Sequence, residues 1–329
     1  MKVTANENKI LQCNILKGDI FITPSSEVLN DIGNSAVVLE DLEGVVYSYH
    51  IMRIRLTVPN ITTSMFIGYI FESNFIQNQI NKNAKGMTRF GLTKTQWEKI
   101  KVPVPPLPVQ EEIVRILDNF TELEAELEAE LTARKKQYEY YREQLLSSSE
   151  NTEFMSLSEL VIIKRGVRVI KNQLIENGSY PVYQNSLKPL GFYDKGNYKG
   201  NTTYIITAGA AGEIGYSNID FWAADDCFCL ICSNNLESKY LYYVLKSQQE
   251  FLFSKVRRAS IPRLSRSVIE KIQIPIHPLV EQKRIVSILD KFDTLVNDIS
   301  IGLPAELKAR RQQYEYYRNQ LLTFKEISN

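Results

Sequence analysis

Two stretches of the chain carry apolar residues at helical spacing for far longer than a globular helix requires. In the first, the stripe runs Ile113, Ile116, Phe120, Leu123, Leu127, Leu131, then Tyr138, Tyr141 and Leu145, at intervals dominated by three and four. Val109 to Leu146 is 38 residues, or about 57 Å of helix at 1.5 Å per residue. A helix of that length needs another helix to cover its stripe. The second stretch supplies one: Ile285, Ile288, Phe292, Leu295, Ile299, Leu303, Leu307, Tyr314, Tyr317 and Leu321.

These stretches belong to an internal repeat. EKIKVPVPPLPVQEEIVRILDNF (98–120) aligns without a gap on EKIQIPIHPLVEQKRIVSILDKF (270–292), at an offset of 172. ARKKQYEYYREQLL (133–146) then matches ARRQQYEYYRNQLL (309–322) at an offset of 176. The second copy therefore holds four extra residues, about one helical turn, with Gly302 and Pro304 among them. A break is expected there, with Pro304 in the first turn of a new helix. Before each helix, the prolines of 103–108 and 275–278 predict an extended lead-in.

The segments upstream of each helix are variable but related. SMFIGYIFES (64–73) resembles SKYLYYVLKS (238–247) and predicts a short helix, while GDIFIT (18–23) and NTTYIIT (201–207) predict a core strand. Short β-rich runs among Gly, Asn and Tyr suggest a mixed domain dominated by a twisted sheet. The fold class is thus α+β: two α/β domains in an internal repeat, each followed by a long helix that pairs with another helix. The divisions are 1–105, first domain; 106–150, first helix; 151–275, second domain; and 276–329, second helix. Thr207 lies 58 residues beyond Ser149 but Thr23 only 22 beyond Met1, so about 36 residues of the second unit lack a counterpart. The first domain is expected to be shortened at its N-terminus.

Charge is balanced overall, with 39 Lys and Arg against 38 Asp and Glu, but it is not evenly spread. Residues 81–101 carry Lys82, Lys85, Arg89, Lys94, Lys99 and Lys101 against Glu98. Residues 255–271 carry Lys255, Arg257, Arg258, Arg263, Arg266 and Lys271 against Glu270. Residues 163–201 add Lys164, Arg165, Arg168, Lys171, Lys188, Lys195 and Lys199 against Glu176 and Asp194. Any one such run reads as a solvated loop. Two placed equally, just ahead of the repeated block and interleaved with Asn, Ser and Tyr, read as phosphate contacts with base-edge hydrogen bonds. The candidate DNA-binding residues are Lys82, Lys85, Arg89, Lys164, Arg165, Arg168, Lys171, Asn185, Lys188, Lys199, Arg257, Arg258, Arg263 and Arg266.

Signals for catalysis are thin. Cys227, Cys229 and Cys232 alternate with apolar residues in CFCLIC, which reads as a buried strand, and no second Cys/His pair stands at zinc spacing. GAAGEIG (209–215) lacks the Lys-Ser/Thr of a phosphate loop. A turn bringing backbone close to a ligand and a plain hairpin loop are equally good readings of it. Asp225-Asp226 has no Glu-x-Lys partner, and His277, aligned with Pro105, suits a structural role. No catalytic residue and no metal site is assigned. Four cysteines in 329 residues and no long apolar run fit a cytoplasmic chain with no membrane span.

PLPVQEEIVRILDNF with ARKKQYEYYREQLL, and PLVEQKRIVSILDKF with ARRQQYEYYRNQLL, resemble the conserved regions of type I restriction–modification specificity subunits. IKRGVRV, YPVYQNS, PLGFYD and FWAADD resemble that family's target-recognition domains. The resemblance implies a non-catalytic subunit whose two α/β target-recognition domains each read half of an interrupted duplex, separated by two long antiparallel coiled-coil helices as spacer, with a pseudo-twofold internal repeat. It also implies two methylation subunits and two restriction–translocation subunits as partners. S-adenosylmethionine, ATP and Mg would belong to those partners and none to this chain. Tyr138 and Tyr141 lie on the stripe, so Tyr140 and Tyr316 are the partner-binding candidates. The family's opening motif, present as LSELVIIKRG (157–166), has no match near Met1. A structural scaffold, a subunit reading DNA through the second domain alone, and a self-contained nuclease or methyltransferase are the competing readings.

Overall fold

The computed structural model of the chain describes residues 7–48, 50–58, 60–147, 152–258 and 260–324. The stretch beside Met1, where the opening motif finds no match, lies outside them. The chain divides into two compact units: Met1–Ala129 with Ala305–Asn329, and Glu130–Pro304.

Each unit is built on one central strand and one apolar helix. In the first, Ile20–Ile22 pairs antiparallel with Ser35–Val37 and with Met52–Ile54. Helix Ser64–Phe71 covers that sheet, burying Phe66, Ile67, Ile70 and Phe71. Thr63 caps its N-terminus by accepting from the Phe66 N–H. In the second unit, Thr202–Ile206 pairs antiparallel with Ile214–Ser217 and Cys227–Cys232, and Val161–Arg165 completes four strands. Helix Ser238–Ser247 covers it with Tyr240, Leu241, Tyr243, Val244 and Leu245. The strand–helix correspondence expected from 18–23 with 64–73, and from 201–207 with 238–247, is what folds. The second unit has in addition a three-stranded sheet ordered Gly191–Tyr193, Tyr180–Tyr183, Trp222–Ala223.

Helix Leu107–Leu146 is continuous over 40 residues, about 60 Å. Its first part belongs to the first unit and its last part to the second. The other copy is broken as expected: Leu279–Asn297 ends, and Leu303–Leu321 begins with Pro304 in its first turn. In the first unit, the two helices run antiparallel: Phe120 stacks on Tyr317 at 5.6 Å, and further along Arg311 pairs with Glu124 at 2.6 Å and with Glu128. In the second, Tyr141 stacks on Phe292 at 5.5 Å. These are the same two positions of the repeat.

Three details depart from the sequence reading. The buried stripe is carried by Leu117 and Leu289, with Ile116 and Ile288 only half buried. At a true 3.6-residue period, Ile113 is followed on its own face by Leu117. Ile299 is 82% exposed, because the helix stops at Asn297 and Val296 fills the inward place. Of the two extended lead-ins, only the second is a paired strand: Gln273–Ile276 lies against Glu153–Ser156. The first, interrupted by Pro103, Pro105 and Pro106, pairs with no strand among the described residues.

A buried ion pair marks the first unit. The Asp19 side chain is 1% exposed and accepts 2.6 Å hydrogen bonds from Arg55 Nε and Nη2, and one of 2.9 Å from the Leu16 N–H. Burial pushes the carboxyl up, but Arg55, the Leu16 N–H and the Arg53 charge together hold it below its ordinary 3.8. A lowered folded value stabilises the unit above the unfolded value, and the contribution fades as pH falls from there toward the folded value. Asp19→Asn is expected to cost about 2 kcal/mol at neutral pH and to flatten the acid limb of stability below about pH 4. Thermal unfolding against pH checks this: an unchanged acid limb would mean that other carboxylates set it.

Candidate nucleic-acid interface

The two basic runs fold into the same local structure. In the first unit, Lys85 and Gly91 exchange backbone hydrogen bonds, 3.2 Å each way, closing the loop 86–90. In the second, Arg257 and Arg263 do the same at 2.8 and 3.1 Å, closing 258–262. The offset is again 172, so the repeat extends upstream into segments whose sequences hide it. Each loop is laid along the end of the central-strand segment. Gly91 pairs with Ser25, and Arg263 with Ala208. In the first loop Gly86 sits at φ +153°, and a Cβ there would lie 1.8 Å from the Arg89 carbonyl oxygen, so only glycine makes that turn.

In the second unit a chain of contacts gathers several candidates along one end of the four-stranded sheet. Arg165 Nε donates to the Asp225 carbonyl at 2.7 Å, and the Thr207 N–H to that of Asp226. The Ala210 N–H donates to the Asn185 carbonyl, and the Leu264 N–H to that of Thr207. Arg165, Asn185, Arg257, Arg258 and Arg263 are thereby brought together, all exposed. Arg168, on the segment leading from Arg165, and Lys188, on the loop that holds Asn185, are exposed beside them in sequence. Lys171 is exposed on a separate 3-10 turn. Lys199 stands at the opposite end of the central strand, holding Asp220 at 2.9 Å, and lines a cleft of about 430 Å³ with Lys164. Arg266 is turned along its own helix to Glu270 at 2.8 Å.

In the first unit, Lys85 and Arg89 line a cleft of about 690 Å³ beside Ser25 and Thr93. Arg89 is tied to Ser25 through Nε at 3.0 Å and Nη2 at 3.2 Å. Lys82 is exposed on the last turn of helix Asn74–Asn83.

The other motifs settle into structure. GAAGEIG is the hairpin connection between Thr202–Ile206 and Ile214–Ser217, with Gly209 and Gly212 at positive φ and Asn185 and Pro262 against Gly209. CFCLIC is a strand paired on both sides; burial pushes the Cys227 and Cys229 thiols far up, and that of Cys232 to about 11. Such thiols are not thiolate ligands, and no cluster of three or more metal-ligating groups occurs among the described residues. His277 meets Tyr240 edge to face at 5.9 Å. Asp225 and Asp226 serve through their carbonyls.

The repeat also carries residues that neither charge nor apolar spacing marks. Gln110 and Gln282, equivalent and fully buried, each clamp the entry to a long helix. Gln110 donates to the Ile61 and Pro105 carbonyls and accepts from Thr62 Oγ1 and the Thr63 N–H. Gln282 donates to the Asn235 and His277 carbonyls and accepts from the Glu237 N–H. Asp118 and Asp290 are likewise equivalent and take the hydroxyls of Tyr69 and Tyr243, at 2.6 and 2.5 Å. On the loops, Met87 is 98% exposed and Ile261 about half, apolar groups a charge count passes over. Tyr140 and Tyr316 are both about 60% exposed, edge-on to Tyr141 and Tyr317.

The family model described as type I restriction modification DNA specificity domain matches residues 3–133 and 149–309. The chain belongs to that family. A putative type I restriction enzyme specificity subunit of Haemophilus influenzae is 37% identical over 281 residues, covering 78% of this chain and 71% of the relative. The EcoR124I/EcoR124II specificity subunit of Escherichia coli is 35% identical over 268 residues, 70% of this chain and 66% of that one. Among solved structures, the S subunit of a type I restriction–modification system from M. genitalium superposes with a TM-score of 0.65 at 19% identity, over 96% of this chain and 85% of that one. That likeness confirms the fold: mixed α and β units with long helices. No helix among the described residues is long and apolar enough to cross a membrane.

Proposed function

We propose that this chain is the DNA-sequence-specificity subunit of a type I restriction–modification assembly, and is not itself an enzyme. Each unit presents its bridged loop, with the neighbouring basic side chains, to one half of an interrupted duplex target. In this reading 1–105 and 151–275 are the recognition domains, and 106–150 with 276–329 the helical spacer. Lys82, Lys85, Arg165, Arg168, Lys188, Arg257, Arg258 and Arg263 hold phosphates, while Asn185, Met87 and Ile261 face base edges. Two methylation and two restriction–translocation subunits complete the assembly, with Tyr140 and Tyr316 as equivalent contact points on the helices. S-adenosylmethionine, ATP and Mg act on those partners, and the assembly works on DNA in the cytoplasm.

The observation that carries the reading is the pair of loops closed by the same backbone bridge at the same position of the repeat, each bearing basic charge. Two copies of one surface on one chain suit two half-sites. A subunit reading through the second unit alone is favoured by one detail: Arg89 is committed to Ser25, whereas the second loop carries three arginines. A salt titration of duplex binding by the chain with its methylation subunit tests the reading. Affinity should fall linearly in log–log form, with a slope of magnitude about 5 or more. A flat response would leave a protein scaffold without DNA contact.

A further inference from the structure

The segments QYEYYREQLL and QYEYYRNQLL differ at one residue, yet each packs on its own unit, and the two sockets are not alike. Arg318 lies over the Tyr314 ring at 5.4 Å, and Arg142 over the Tyr138 ring at 5.5 Å, the same arrangement twice. The charge at the end of the covering helix is opposite in sign. In the first unit Glu72, at the end of helix Ser64–Phe71, accepts from Tyr314 at 3.3 Å and from Arg318 at 3.5 Å. The repeat places Lys246 at the equivalent point of the second unit, where it donates to Gln249 at 2.7 Å. Burial, with the Arg142 charge behind it, draws the Lys246 ammonium down, against Glu213 and Asp293. Arg142 has no carboxylate within ion-pair distance among the described residues. So one arginine meets an acid, while the position that matches this acid in its twin's unit is a base.

Connectivity gives this asymmetry a purpose. Residues 133–146 run within a few positions into the second unit's strand Glu153–Ser156, although that unit's helix Ser238–Ser247 lies farther from them along the chain than helix Ser64–Phe71. Residues 309–322 return to a unit whose other residues end at Ala129. They must find a distant socket while a similar one lies closer in sequence. We propose that Glu72 and Lys246 form a charge code for helix docking: Glu72 selects the C-terminal tyrosine-rich segment for the first unit, and Lys246 disfavours its exchange into the second. The code decides which helix each unit carries. It stands whether or not the chain reads DNA.

Hydrogen exchange on the full chain, followed by mass spectrometry of peptides spanning 133–146 and 309–322, tests it. Glu72→Lys should speed exchange of 309–322 roughly fivefold to tenfold, the size of a partly exposed ion pair turned repulsive, and leave 133–146 unchanged. Adding Arg318→Glu should restore protection to within about twofold. Lys246→Glu should slow exchange of 133–146. Should Glu72→Lys not fold, Glu72→Gln should give the same direction at smaller size. Unchanged exchange of 309–322 in Glu72→Lys or Glu72→Gln, or a loss that Arg318→Glu does not repair, would overturn the proposal.

Discussion

Replacing Gln282 with alanine is expected to destabilise the second unit by about 3 kcal/mol, a large effect for a residue with no part in any charge patch. The side chain is wholly buried, and its amide closes three hydrogen bonds to the Asn235, His277 and Glu237 backbone. Truncation leaves two carbonyls and one N–H without their partner in a part-buried place, and opens a void where a fully buried side chain stood. For a unit of this size, the unfolding midpoint should drop by roughly 10 °C. Gln282→Glu should rescue little, since a carboxylate oxygen would face two carbonyl oxygens. Gln110→Ala should do the same to the first unit. Thermal unfolding and exchange of the flanking amides measure this, and a loss under 1 kcal/mol would mean that the clamp is incidental.

The second large effect concerns binding. Arg257, Arg258 and Arg263 changed together to alanine should weaken duplex affinity roughly 100-fold at moderate salt and lower the salt slope by about 2.7, one phosphate for each arginine. Because Arg257 and Arg263 close their loop through backbone atoms, the loop should survive, and unfolding should shift little. Gly86→Ala offers the contrast in the first unit. Its new Cβ cannot coexist with the Arg89 carbonyl, so the turn must rebuild and carry Lys85 and Arg89 with it. Filter binding across a salt series separates these cases; a triple variant that keeps the full slope would show that phosphate contacts lie elsewhere.

Much of the fold was legible because it is written twice. Helical periodicity fixed the long helices, and the four-residue insertion with Gly302 and Pro304 placed the break in the second copy. Periodicity alone could not choose between Ile116 and Leu117, adjacent apolar residues on either side of the face, and packing chose Leu117. Nor could it see that the helix ends at Asn297, leaving Ile299 in a turn. For the candidate interface, composition found the basic runs but not the bridge that shapes them: Lys85–Gly91 and Arg257–Arg263 share no side-chain chemistry, only backbone pairing. Charge counting also grouped Lys199 and Arg266 with the rest, although Asp220 and Glu270 hold them. Gln110 and Gln282 were visible as identical polar residues interrupting the apolar face of both copies, a signal of buried hydrogen bonding that a search for charge ignores.

Two DNA readers on one chain should leave their mark on the DNA that the assembly methylates. Co-expression with the methylation subunit in cells lacking other adenine methylation, followed by sequencing of modified DNA, tests it most directly. An interrupted, asymmetric motif is expected, with the Gly86→Ala variant degrading one half and the triple arginine variant the other. A stable complex that methylates no defined sequence, or a motif that neither loop variant alters, would contradict it.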